Sequence, residues 1–405
     1  RCWPNPDTTL KNMAGLFRSK NITRPYIVTD GGIVECGLLN QLEQTLPACE
    51  FSVGQYTQVV ADPSESVILD AVAEAKAHEA DGIIGFGGGS SMDAAKLVAL
   101  LINSDQTLVD LYGIDQATGE RLPLFLIPTT AGTGSEVTQI AIVTTGESTK
   151  AGVVSEQLLP DVAILDAELT LGLPAHVTAA TGIDAMVHAI EAYTSVHKKN
   201  PYSDLLAKQA LQLLSSNIEQ ACTNGSNVEV RQAMLLGACM AGQAFANAPV
   251  AAVHALAYPL GGQFHIPHGL SNSLVLPHVL RFNHSSAYNL YAELAPFISP
   301  GIDVNQGAEK TSLAMIKFLS DLIVRLGLPT HLQQMNIQKS QLQSLADDAM
   351  LQTRLLINNP KSVSKKDALK YIKAFDETQL QLAGQGTYTK LTSKGTVCNM
   401  GKYQM

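Results

Sequence analysis

Asp184 and His188 lie four residues apart in the segment TGIDAMVHAIEAY at 181–193, which reads as a helix. A spacing of four puts both side chains on one helix face. A second group lies in HALAYPLGGQFHIPHG at 254–269. There His254 sits among small apolar residues, and His268 follows Pro267, a residue suited to the first turn of a helix. Pro259 and Gly261-Gly262 are expected to break the segment between them, and a turn there would fold the two imidazoles together. Taken singly, each residue has an ordinary explanation: a surface pair, a helix-start aspartate, a core histidine with satisfied nitrogens. Together they offer one carboxylate and three imidazoles, the donor set of a divalent transition ion such as Fe2+ or Zn2+. Magnesium and calcium prefer oxygen ligands, and no thiolate set is offered for an iron–sulfur cluster.

Two loops carry a different chemistry. GGGSSMDAAK at 87–96 follows an expected strand and opens an expected helix. Glycines admit an anion close to the backbone, and the N–H groups of a helix start point at it, so Gly88, Gly89 and Ser90 suit a pyrophosphate. The plainer reading is a tight turn in which Ser90 caps the helix and Asp93 favours its dipole. PTTAGTGSE at 128–136 follows another expected strand and supplies Thr129, Thr130 and Thr133. Two such loops after two parallel strands read as the two sides of a nucleotide site. Asp30 closes the first expected strand, where a carboxylate would accept from the ribose 2′-OH of NAD and repel the 2′-phosphate of NADP. A turn aspartate before Gly31-Gly32 is the plainer alternative.

These groups need elements to hold them. Apolar runs at 26–30, 81–87, 124–128 and 162–166 read as strands, and 66–76 has helical spacing. Strands alternating with helices argue for a mostly parallel α/β sheet. Near Pro174 the pattern changes. Long helical periods follow at 203–218, 228–247 and 311–326, whereas 384–405 has no clear period and reads as a tail. The division expected is an α/β dinucleotide-binding domain at 1–180 and a helical metal-binding and substrate domain at 181–405. A length of 405 residues accommodates both.

Composition bounds the partners. With 27 Lys and Arg against 36 Asp and Glu, the net charge is −9, which disfavours nucleic acid and anionic membranes. No run is apolar for long enough to span a bilayer. The six cysteines are scattered without a CxxC pair, and the first residues do not read as a secretory leader, so a reducing, cytoplasmic setting is expected.

The quoted segments, with HALAYPLGGQFHIPHGLSNSLVLPHV at 254–279 as the longest, together resemble the iron-containing (group III) alcohol dehydrogenase family over roughly residues 10–375. The resemblance implies a dehydroquinate synthase-like fold, with the site between the α/β and helical domains. It implies Asp184, His188, His254 and His268 as metal ligands and Gly88, Gly89 and Ser90 as the pyrophosphate loop. It further implies Thr129, Thr130, Thr133 and Lys150 as cofactor contacts, Asp30 as a determinant for NAD, and a homodimer. The implied reaction is hydride transfer between NAD(H) and a small primary alcohol or aldehyde, with Fe2+ or Zn2+ as Lewis acid. Many members carry histidine where Tyr258 stands, so the proton relay is expected to use Tyr258, His265 or solvent. The rival expectations are a glycerol dehydrogenase, a maleylacetate reductase or a hydroxyacid–oxoacid transhydrogenase of the same fold, and a non-catalytic nucleotide-binding protein.

Overall fold

The computed structural model describes residues 10–146 and 149–377; the tail expected at 384–405 lies outside them. The strands are β1 (Pro25–Asp30), β2 (Gly54–Val59), β3 (Gly82–Gly87), β4 (Gly113–Ile114), β5 (Leu124–Pro128), β6 (Ile140–Thr145), β7 (Thr149–Val154) and β8 (Val162–Ala163). The helices among them are α1 (Met13–Ser19), α2 (Gly31–Glu35), α3 (Leu38–Glu43), α4 (Glu65–Ala77) and α5 (Gly89–Leu101). Five strands form a parallel sheet in the order β2-β1-β3-β5-β8. A side-chain period of two splits the apolar residues of its central strands between two faces. Ile83, Leu124 and Leu126 pack with α4 and α5 on one side, while Ile84, Phe86, Phe125 and Ile127 pack with Met13 and Phe17 on the other.

The four strands expected from sequence are β1, β3, β5 and β8. β2 was not anticipated. It is an edge strand that buries only Tyr56 and Val59, so it needs no apolar run. A small second sheet, β4-β7-β6, was also unforeseen; β6 and β7 form an antiparallel hairpin that carries Lys150.

The change to helical structure falls between β8 and α6 (Ala175–Thr194), and the division expected at 180 lies inside α6. The remaining helices are α7 (Pro201–Thr223), α8 (Val228–Asn247), α9 (Ala252–Phe264), α10 (His268–Ile298), α11 (Ala308–Arg325), α12 (Leu342–Leu351), α13 (Thr353–Leu356) and α14 (Lys365–Glu377). They bury one continuous core that includes Ile183, Ile190, Leu214, Leu256, Leu276 and Leu319. No single described helix is long and apolar enough to cross a membrane.

Pro259 and Gly261-Gly262 do not break their segment: α9 runs through them to Phe264. The reversal comes at His265, which adopts a left-handed φ of 54°, with its N–H donating to Gly261 O at 2.9 Å. Pro267 then caps α10, whose first residue is His268, as its position after a proline suggested.

Helix α8 crosses the loop after β5 at a glycine–glycine contact. A Cβ on Gly242 would lie 2.8 Å from Gly134 Cα and 2.9 Å from Gly134 O. Gly242→Ala is therefore expected to destabilise the protein by about 1–3 kcal/mol, because backbone on both sides must shift. Gly15→Ala, with nothing within 4 Å of the added carbon, is the control and is expected to be neutral or mildly stabilising. Urea midpoints of the two variants check this.

Candidate metal and cofactor site

Helix α6 presents Asp184 and His188 on one face, α9 presents His254 in its first turn, and α10 presents His268 at its start. One donor atom from each of these four residues lies within 4.8 Å of the others. Asp184, His188 and His254 are buried, whereas His268 is half-buried. The imidazoles of His188 and His254 stack at 4.7 Å, and those of His254 and His268 stand 5.3 Å apart. The expected ligand set is thus assembled in one place.

The protonation states suit a cation. Burial pushes the His188 imidazole down to about 3, so it is neutral and its lone pair is free. Burial alone would raise Asp184, but the surrounding imidazoles and the Asn272 amide outweigh it and hold the carboxyl below its ordinary range. An anionic carboxylate with neutral imidazoles is what metal ligation requires. His188 Nδ1 is buried without a hydrogen-bond partner among the described residues. The Asn272 amide nitrogen donates to Asp184 Oδ1 at 2.6 Å and lies 3.2 and 3.3 Å from Nε2 of His254 and His268. Three acceptors converging on one donor group mark a place built for positive charge, and a divalent transition ion fits it.

Two of these neighbours had no assigned role in the sequence reading. Asn272 is one. The other is Glu191, one turn beyond His188 on the same face of α6. Its carboxylate accepts from His254 Nδ1 at 2.7 Å and from the backbone N–H groups of Ala251 at 3.0 Å and Val253 at 2.6 Å. It therefore caps α9, which has no side-chain cap of its own, and fixes His254 with its proton on Nδ1. The spacing 184, 188, 191 was visible as one helix face, but nothing in the sequence said what the third residue met.

The four ligands adjoin a cavity of about 160 Å³. Gly89, Ser90, Thr133, Lys150, Tyr258 and the three histidines line it. Gly88 is the N-cap of α5, so Ser90 lies inside the first turn and is not the cap. The Ser90 Oγ accepts from Asp62 N–H at 3.3 Å. Thr133 packs against Gly89, where a Cβ would meet its side chain at 2.8 Å; the two loops touch there. Thr129 is buried behind the cavity, its N–H donating to Gly87 O at 2.9 Å, and Thr130 is the nearest side chain to Gly88. Lys150 pairs with Asp62 at 2.7 Å and donates to Thr144 Oγ1 at 2.9 Å. Asp30 stands beside Gly87 as the N-cap of α2, accepting from Ile33 N–H at 3.1 Å and from Ser91 Oγ at 2.8 Å. His265 is exposed and does not line the cavity, so the structure separates it from Tyr258 and from the ligands.

A buried lysine ties the two loops together. Lys96 donates to Ile140 O at 2.7 Å and Thr138 Oγ1 at 3.2 Å. Asp93 accepts from Ser135 Oγ at 2.6 Å and Ile142 N–H at 3.0 Å. Asp93 thus does more than complement a helix dipole: it fixes the second loop to the start of α5.

Glu136, on the same loop, is buried, and burial pushes its carboxyl from 4.5 up to about 7. Between those values the folded chain holds a proton that the unfolded chain has released, so stability falls as pH rises through that window. The loss attributable to Glu136 is at most about 3 kcal/mol. Glu136→Gln is expected to flatten it, which urea midpoints at pH 5 and pH 7.5 measure.

Comparison with known proteins agrees with this geometry. The profile described as iron-containing alcohol dehydrogenase matches residues 6–167, and that of the C-terminal part of the Fe-containing alcohol dehydrogenase family matches 178–375. Long-chain-alcohol dehydrogenase 1 of Geobacillus thermodenitrificans is 42% identical over 344 residues, covering 84% of this chain and 86% of that one. Sulfoacetaldehyde reductase of Bilophila wadsworthia is 37% identical over 371 residues, covering 90% and 95%. Among solved structures, an alcohol dehydrogenase from Oenococcus oeni superposes with a TM-score of 0.88 at 30% identity, over 92% of this chain and 97% of that one. A 1,3-propanediol oxidoreductase gives 0.87 at 30% identity over the same shares. With both halves matched and the order of elements shared, the chain belongs to the iron-containing alcohol dehydrogenase family.

Proposed function

We propose that this protein is a metal-dependent, NAD-linked dehydrogenase that interconverts small primary alcohols and aldehydes in the cleft between its α/β and helical regions. The single observation that carries this reading is the convergence of Asp184, His188, His254 and His268 on a cavity also lined by the two nucleotide loops. The named relatives act on a long-chain alcohol, sulfoacetaldehyde and 1,3-propanediol, so alcohol–aldehyde chemistry is common to them while the carbon chain varies.

Asp184, His188, His254 and His268 hold the metal, with Fe2+ as the family's ion and Zn2+ suited to the same donors. A divalent ion there supplies Lewis acidity toward the substrate oxygen, and the nicotinamide supplies or accepts the hydride. The chain's own residues do the rest. The α5 N-terminus at Gly88, Gly89 and Ser90 presents N–H groups to the pyrophosphate, and Thr129, Thr130 and Thr133 shape the facing loop. Lys150, kept at the cavity by Asp62, supplies positive charge. The Asp30 carboxylate beside Gly87 disfavours a 2′-phosphate, which supports NAD over NADP. Phe245, Val250 and Leu355 keep part of the cavity apolar and exclude water from the reacting carbon. Burial raises the Tyr258 phenol, so it stays neutral and passes a proton by exchanging hydrogen bonds with solvent. His265, exposed outside the cavity, takes no part.

The four described cysteines are free, which supports a cytoplasmic setting, and the family resemblance supports a homodimer. Metal reconstitution tests the reading. The chelated protein receives Fe2+ without oxygen, or Zn2+, and NADH is followed against NADPH with short alcohols and aldehydes. Metal-restored turnover with a preference for NADH is expected. Tight NAD binding without turnover under any metal overturns the dehydrogenase assignment.

A further inference from the structure

The cavity beside the metal ligands is lined by four charged side chains besides the histidines: Asp62, Asp93, Lys150 and Arg354. Three are already occupied. Asp62 and Lys150 pair with each other at 2.7 Å. Asp93 spends one oxygen on Ser135 and Lys96 and the other on the Ile142 N–H. Arg354 is left over. Among the described residues its guanidinium has no ion-pair or hydrogen-bond partner.

The backbone that carries it is nonetheless anchored. The side chain projects from α13, whose backbone is tied down by the buried Asn358, which donates to Arg354 O at 3.1 Å and Val250 O at 3.0 Å. The guanidinium lies against Gly152 of β7, where even an added Cβ would be in ordinary van der Waals contact with Arg354 Nη2, at 3.6 Å. Its positive charge also reaches Tyr258, one turn past His254, where it opposes the upward push of burial on the phenol. The guanidinium thus shares with Tyr258 a cavity whose lining also includes the apolar Val250, Ala257, Ile266 and Leu355. A neutral substrate filling this space would strip water from a guanidinium and give nothing back. A carboxylate, sulfonate or phosphate would meet its planar donors in a fork.

We propose that the substrate is an aldehyde or alcohol carrying an anionic group at the end remote from the reacting carbon, and that Arg354 receives that group. This deepens, and rests on, the dehydrogenase reading. Arg354 is a specificity residue; it does not touch the reacting carbon.

The test compares butanal with 4-oxobutanoate, which have the same four-carbon chain and differ by methyl against carboxylate. With metal-loaded protein and NADH, wild type is expected to favour 4-oxobutanoate by roughly tenfold or more in kcat/KM, the range of a charge-assisted pair. Arg354→Met should erase that preference mainly through KM, leaving butanal little changed, and Arg354→Lys should restore part of it. A wild type that prefers butanal, or a ratio unmoved by Arg354→Met, overturns the proposal. So does an equal rise in KM for NADH with both aldehydes, which would give the arginine to the cofactor. If neither aldehyde is reduced and short alcohols and aldehydes of other lengths are inert with every metal as well, the dehydrogenase reading itself fails. The anion site is then judged by calorimetric binding of 4-hydroxybutanoate to the metal-free protein: binding lost in Arg354→Met supports it, and no binding or equal binding rejects it.

Discussion

His254→Ala is expected to lose the bound metal and roughly 10³-fold or more in turnover, while the metal-free protein unfolds close to wild type. The size follows from the Lewis acid's share of transition-state stabilisation, several kcal/mol, at about 1.4 kcal/mol per decade of rate. The stability claim follows from the neighbours. Glu191 loses the imidazole but keeps the Ala251 and Val253 N–H groups, so its carboxylate is not orphaned. The comparison must be made on metal-free proteins, because an ion that binds only the folded chain adds stability by mass action. His268→Ala should behave alike, and the double variant should cost little more than either single one, since the ligands act as a unit. Metal content by mass spectrometry, turnover and urea midpoints together decide it. Full turnover and retained metal in both single variants would remove the ligand assignment.

How much of this could be read from the chain depends on whether a signal is local. Strands β3 and β5 announce themselves because an apolar run ends at the glycines and threonines of their loops, and α8 because its period runs unbroken from Val228 to Asn247. The four converging residues Asp184, His188, His254 and His268 were legible because two pairs of spacings sit on recognisable elements. Edge strand β2 was not, since Gln55, Thr57 and Gln58 face out and leave no apolar run. Pro259 misled for a physical reason: proline usually ends a helix, yet here the chain stays helical past it and turns only at His265. The remaining omissions share one cause. Glu191, Asn272, Asp93 and Lys96 each reach a partner 44 to 88 positions away in the chain, and spacing along an element says nothing about what faces it from another. His265 is the converse case, near the ligands in sequence and outside the cavity in space.

Glu191→Gln is expected to weaken metal binding by about 10–100-fold without unfolding the protein. Glutamine keeps the shape of glutamate but replaces one acceptor oxygen by a donor. Both glutamate oxygens are in use as acceptors: one meets the Val253 N–H, and the other meets the Ala251 N–H and His254 Nδ1. If the amide nitrogen takes the place beside His254, it drives the imidazole proton from Nδ1 to Nε2 and blocks the nitrogen that faces the cluster. If instead it takes the other place, it opposes the Val253 N–H and strains the start of α9. The first arrangement predicts a tautomer change, visible in the nitrogen chemical shifts of His254 in the metal-free protein, together with the loss of metal affinity. Glu191→Ala separates the two roles. It leaves the Ala251 and Val253 N–H groups without their acceptor and should cost about 1–3 kcal/mol per group in stability as well as metal affinity. A Glu191→Gln protein that binds metal as wild type does, with His254 still protonated on Nδ1, would show that the carboxylate serves the helix start alone and that His254 is oriented by its packing against His188 and His268.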